Sequence, residues 1–356
     1  LKRDGKEVPT TGAFKFESYL VGEVWKNERN PDYWNDGLPF LDAVWLFPTS
    51  NSATRSATLL ANQVDFAQTI TPAVADRLRD EGEMTVERFS SYSFGATWFN
   101  ISRPPFDNVK LRKAMRLAID PVLIRDAILD FLFTYEGGTG WTFQDQKFDI
   151  SADEKAAMLI NNREEAVAEA KRLMEEVRAE LSPDLLDKLD GADYLVRQSN
   201  AQYEVMAQIS QSSWKTELGF EVKIRVVPSA QWLEEARDHS FDLAVGATAS
   251  PFIDPSAYWN IWYRADSSEN FGQWSNPEWE ALMDQIDVEL DQTTRYNLVR
   301  QAADILESDP PLIEQFYNRT LAAWGANVKG FTGKKGALVH NLARFDTVWF
   351  DPVPSH

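Results

Sequence analysis

Leu111, Ala114, Met115 and Ala118 recur at the i, i+3, i+4, i+7 spacing that gathers apolar side chains on one helical face, so the stretch after Asp107 is predicted helical. Asp120-Pro121 restarts a helix, with an acidic cap and a proline at its first position, and Leu123, Ile124, Ala127, Ile128 and Phe131 form its apolar stripe. The same period sets Ala166, Ala170, Leu173, Met174, Val177 and Leu181 along one face of a long helix over 163–181. Beyond it the period changes. A strand over 194–197 leads to a helix that turns Tyr203, Met206, Ala207, Ser210 and Trp214 inward. In the following strand, 220–227, Phe220, Val222, Ile224 and Val226 alternate with Glu221, Lys223 and Arg225. A helix over 229–238 then feeds a strand over 241–245. Strands and helices alternating in this way predict a parallel sheet and an α/β fold.

Two more helices follow. Ser275-Asn276-Pro277-Glu278 reads as a capping box ahead of Trp279, Leu282, Met283, Ile286 and Leu290. The second carries Tyr296, Val299, Ala303 and Leu306 and is stopped by Asp309-Pro310-Pro311. Trp214 and Trp279 are assigned to the core. Near the start, Asn30-Pro31-Asp32 marks a turn after a strand, a strand covers 43–47, and a short helix covers 53–61 with Asn62 as its left-handed terminus. Gly137-Gly138-Thr139-Gly140-Trp141 is a loop.

A length of 356 residues predicts two or three domains, each with enough chain for its own core. The formal net charge of -19 argues against nucleic acid or an anionic membrane surface as partner, because both are held by surplus Lys and Arg. No stretch approaches the roughly 18 to 20 apolar residues that cross a bilayer. The absence of cysteine excludes disulfides, thiolate metal sites and thiol nucleophiles.

Catalytic chemistry finds little purchase. Asp149 with Asp153, or Glu234 with Glu235, are the carboxylate pairs a glycosidase would need about 5 to 10 Å apart, but among 55 acidic residues such pairs arise by chance and read as solvated faces. His239, His340 and His356 lack metal-ligand spacing and read as surface residues; no metal or cofactor is expected. The glycine run lacks the Gly-Lys-Ser/Thr ending of a phosphate loop. Thirteen tryptophans, with clusters at Trp98 and at Tyr258, Trp259, Trp262 and Tyr263, offer flat surfaces suited to stacking on an organic solute, although core packing is the commoner use.

Five segments share one pattern: Thr11-Gly12-Ala13-Phe14-Lys15-Phe16 with Glu28 to Trp34, the stretch 59–67, Phe99-Asn100 with Pro104 to Val109, Trp274 to Glu278, and Tyr317 with Phe331-Thr332-Gly333. Together they resemble the family 5 solute-binding proteins of ABC importers, the oligopeptide- and dipeptide-binding class, and the resemblance runs nearly end to end. It implies a type II periplasmic binding protein fold, two α/β lobes joined by a two-strand hinge. Residues 1–97 and 326–356 would form lobe I, with its upstream part absent, and 98–325 lobe II. The segment resembles the C-terminal two thirds of such a chain.

The resemblance further implies capture of a peptide or other small organic solute in a cleft, delivery to ABC permease subunits, no catalysis, and a place in the periplasm or on the outer face of the cytoplasmic membrane. The cleft residues it points to are Trp98, Thr139, Trp141, Thr248, Ala249, Ser250, Phe252 and Trp259. Peptide receptors of the family carry, nine positions after the Phe-Asp pair, an aspartate for the peptide ammonium; counted from Asp242 that position is Pro251. Ordinary peptides are therefore disfavoured relative to oligosaccharides, opines and other amphiphiles. The rival readings are a secreted glycosidase with a Trp-lined groove and a chaperone-like periplasmic module without a ligand.

Overall fold

The computed structural model describes residues 2–3, 6–7, 10–49, 51–82, 84–128, 151–198, 201–249, 254–331 and 344–352. They fall into two compact units, one made of 1–91 with 319–356 and the other of 92–318.

In the first unit, β1 (Phe14–Leu20), β2 (Val24–Arg29) and β3 (Ala43–Leu46) form an antiparallel sheet. The turn after β2 closes as the sequence predicts, with Asp32 N–H donating to Asn30 Oδ1 at 3.1 Å. Helix α1 (Ser52–Leu60) is capped by Asn51, and Asn62 takes the left-handed conformation (φ 53°) expected of it. Next come β4 (Phe66–Gln68) and α2 (Pro72–Glu81), capped by Thr71 and ended by left-handed Gly82. Strand β5 (Met84–Phe99) carries the chain into the second unit.

The second unit begins with α3 (Val109–Ala118), capped by Asn108, and α4 (Pro121–Ile128), whose first turn is held by Asp120. Helix α5 (Arg163–Glu180) buries Ala166, Ala170, Leu173, Met174 and Val177, the face read from its periodicity. Then follow β6 (Asp193–Gln198), α6 (Ala201–Ser213), β7 (Lys223–Pro228), α7 (Ser229–Arg237) and β8 (Leu243–Ala249). Strand β6 pairs in parallel with both β7 and β8, and β8 pairs antiparallel with β5. Helices α8 (Pro255–Trp262), α9 (Pro277–Val288) and α10 (Gln292–Ser308) precede β9 (Leu312–Gly325), which returns the chain to the first unit, where Ala322–Trp324 pair with β4.

Two apolar clusters lie on either side of this sheet. One packs α3, α5 and α6 around Tyr194, Val196 and Trp214, with the Trp214 indole N–H donating to the Met115 carbonyl at 2.8 Å. The other gathers Trp98, Trp232, Trp259, Trp274 and Trp279. A buried chain of hydrogen bonds ties the strands together: Thr97 Oγ1 donates to Gln315 Oε1 (3.0 Å), and Gln315 Nε2 donates to Ser210 Oγ (2.7 Å). Tyr194 joins it through Thr97, and burial pushes its phenol well above the usual range.

Three local expectations are corrected. The cap of α9 is Asn276 rather than Ser275, because Pro277 with its fixed φ suits the first helical position. Leu290 is 93 % exposed, since the helix ends at Val288. In β7 the alternation slips: Val226 is 41 % exposed while Val227 is buried beside Leu195 and Trp232. β7 has a paired neighbour on one side only, so its outer end is free to twist.

Candidate functional site

In an open α/β sheet the carboxyl ends of parallel strands face the ligand, because the loops leaving them and the helix starts that follow converge there. In the second unit those ends are Gln198 of β6, Pro228 of β7 and Ala249 of β8. The sheet interior fixes their level: Val196 lies beside Val245 on one side and Val226 on the other. Asn100 fixes the entry to β8, its amide donating to the His239 and Phe241 carbonyls at 2.9 Å each. His239 is half-buried rather than at the surface, its Nδ1 placed 3.0 Å from the Phe271 carbonyl oxygen.

Of the eight residues proposed from sequence, Thr248 and Ala249 end β8, opposite Phe94 and Ser93 of β5. Ser250 and Phe252 follow directly, and with Thr139 and Trp141 they lie outside the described residues. Trp98 and Trp259 are placed differently. Trp98 is 2 % exposed, with Trp232 and Phe271 against its ring at 5.9 and 5.7 Å between centroids. Trp259 is 0 % exposed and packs on Trp279. Both therefore serve the core, as do Tyr258 and Tyr263.

Asp254, three residues beyond Pro251, caps α8. Its Oδ1 accepts from Ser256 N (2.9 Å) and from Arg295 Nη2 (2.7 Å), and its Oδ2 accepts from Arg295 Nη1 (2.7 Å). Burial works to raise this carboxyl's pKa, but the hydrogen bonds from Arg295 and Ser256 outweigh it and hold the group below its ordinary range. A bidentate partner already neutralises the charge.

The carboxylates that would serve a hydrolase are no better placed. Glu235 is gripped by Arg225 (2.7 Å), whose hydrogen bonds hold its carboxyl below the usual range, so it would not deliver a proton near neutrality. Its neighbour Glu234 and the acid Asp153 are exposed, and Asp149 lies outside the described residues. Glu314 is the carboxyl pushed well above its ordinary range, by burial first, but at 2 % exposure no substrate reaches it. Among the described residues no group of His, Cys, Asp and Glu is arranged to hold a metal ion, and no helix is long and apolar enough to cross a membrane.

The sequence that builds these strands matches a known family over most of its length. The family described as bacterial extracellular solute-binding proteins, family 5 Middle, matches residues 2–270. The chain belongs to that family. Its relatives include the probable deoxycholate-binding periplasmic protein YgiS of Escherichia coli K12, 28 % identical over 90 % of this chain and 57 % of that protein. The periplasmic oligopeptide-binding protein OppA of Salmonella typhimurium is 24 % identical over 92 % of this chain and 58 % of its own length. The chain thus spans little more than half of the curated relatives it matches. Among solved structures, Haemophilus influenzae OppA in complex with RPPGFSPFR superposes with a TM-score of 0.70 at 22 % identity, covering 96 % of this chain and 64 % of that one. The binding protein AgaA of A. tumefaciens R10, in complex with agropinic acid, gives 0.74 at 20 % identity, covering 95 % and 67 %. At these identities the two structures establish the fold, that of periplasmic binding proteins.

Proposed function

We propose that this family 5 chain is the solute-capturing part of an extracytoplasmic receptor that hands a small organic solute to an ABC permease, without catalysis. The observation that carries the reading is the family match over residues 2–270, which takes in the N-terminal stretch of the first unit and the parallel strands whose carboxyl ends form the candidate site. The solute is amphiphilic and lacks a free peptide ammonium. Pro251 supplies no charge, Asp254 is already spent on Arg295, and a desolvated ammonium without a counter-charge is costly. Relatives named for deoxycholate and for oligopeptides support a small organic solute as the ligand class.

Native mass spectrometry after incubation with a bile acid, an oligopeptide and an oligosaccharide tests the reading. An adduct of intact solute, lost on denaturation, is the expected result. Cleaved solute would favour the glycosidase instead, and bare chain with every solute would favour a module without a ligand.

A further inference from the structure

Arg197 occupies the penultimate position of β6, beside the carboxyl end of the parallel sheet. In a chain with 55 acidic residues against 36 basic ones, a guanidinium ordinarily finds a carboxylate. Other arginines of the second unit do: Arg225 binds Asp193 and Glu235, Arg295 binds Asp254, and Arg237 binds Glu269. Among the described side chains of the second unit, Arg178 and Arg197 make no ion pair, and Arg178 is used on the Leu218 carbonyl that ends the helical run after α6.

Arg197 is held instead by uncharged neighbours. Its Nε donates to Ser229 Oγ at 3.2 Å, and its guanidinium carbon lies 5.7 Å from the centre of the Trp232 ring. Ser229 is itself fixed, its hydroxyl donating to the Gln198 carbonyl at 3.4 Å. The hydrogen bond and the aromatic face together restrain the half-buried fork in plane and direction, while its two Nη groups donate to nothing in the described protein. Two parallel N–H groups on a planar cation match the two oxygens of a carboxylate. Helix α7 starts at Ser229 with no side-chain cap, so its first-turn amides add positive potential to the same corner.

We propose that Arg197 receives a carboxylate of the captured solute, with Ser229 and Trp232 as its positioning residues. The proposal rests on the receptor reading for the identity of the ligand and names its class: a small organic acid with an apolar body.

The test uses the full chain carrying 15N-labelled arginine and needs no knowledge of the natural solute. Sodium acetate is titrated while the Arg197 Nε–H resonance, assigned by its loss in Arg197→Lys, is followed by NMR, with acetamide as the neutral isostere and Arg178 as the internal control. The expected result is a saturable shift of Arg197 with acetate, with apparent affinity roughly tenfold or more above any effect at Arg178, and no saturable shift with acetamide. In Ser229→Ala the affinity falls while the folded spectrum is kept. A linear Arg197 response like that of Arg178, or the same response to acetamide, overturns the proposal. Failure of the receptor reading would look different: Arg197 would still saturate with acetate although no organic solute forms an intact adduct.

Discussion

At the scale of single residues, close packing makes the sharpest predictions. A Cβ on Gly246 would lie 3.1 and 3.2 Å from Trp232 Cζ2 and Cη2 and 3.4 Å from Trp98 Cζ3, and both rings are locked in the core. Gly246→Ala should therefore lower unfolding free energy by about 1–3 kcal/mol in urea titrations; an unchanged midpoint would show that the indoles can yield. Glu314 makes a second prediction, in pH. Neither of its oxygens has a hydrogen-bond partner among the described residues, and burial raises its pKa, with Arg116 opposing and Glu307 adding to the shift. The folded chain thus keeps a proton that the unfolded chain releases at the ordinary carboxyl pKa. This contribution to stability is complete below that pKa and declines as pH rises toward the folded value, at up to about 1.4 kcal/mol per pH unit. Glu314→Gln should remove the decline, so the variant gains on the parent protein between pH 5 and 8; a constant difference would refute it.

Residue identity alone revealed some of this and concealed the rest. Asn62 could be read as a left-handed terminus because that conformation is a local property. Whether Trp98 met a solute or Trp232 was decided by a contact across more than a hundred positions, which no local pattern encodes. Arg197 is not marked in the sequence for the same reason: an arginine is distinctive here by the carboxylate it lacks, and that is a tertiary fact.

At the scale of elements, periodicity located the helices and parallel strands of the second unit, and errors fell at their ends. α9 shows why. Ser275 and Asn276 are both good caps, and the choice between them rests with Pro277. Asn276 Oδ1 accepts from the N–H groups of Glu278 and Trp279, both at 3.1 Å. Asn276→Ala should cost about 0.5–2 kcal/mol and Ser275→Ala much less, as measured by thermal unfolding; equal effects would return the cap to Ser275. The periodicity over 163–181 matches the long helix α5 nearly to the residue, since an apolar stripe of five turns leaves little freedom of phase. β7 was harder, because its two faces differ less than its sequence alternation suggests once the strand twists.

At the scale of the whole molecule, the first unit carries an uncovered apolar face. Cross-strand partners share a face, which puts Tyr19, Trp25 and Leu46 together, and Phe16 with Val44. None of these side chains is buried, and Tyr19 and Leu46 are exposed. The opposite face carries Lys15, Ser18, Lys26 and Glu28 together with Leu20, Val24 and Trp45, the last lying under the Lys26 ammonium. Large apolar side chains exposed on a sheet favour association, so the chain should show a mass that rises with concentration in light scattering, reduced by Leu46→Lys; a concentration-independent monomer would contradict this. The family and its fold were legible because their marks, from the Thr11-Gly12 segment to the Trp274–Glu278 segment, are sequential. The solute was not, because the strand ends of the candidate site lie far apart in sequence.

The central claim, capture of an organic solute without chemistry, is tested most directly by calorimetric unfolding of the full chain against a series of carboxylate-bearing solutes, including deoxycholate below its micelle concentration and an N-acetylated peptide. Each solute is afterwards recovered and weighed by mass spectrometry. At least one should raise the melting temperature with its concentration as mass action requires and be recovered intact. A flat melting temperature across the series, or a solute returned in pieces, would contradict the account.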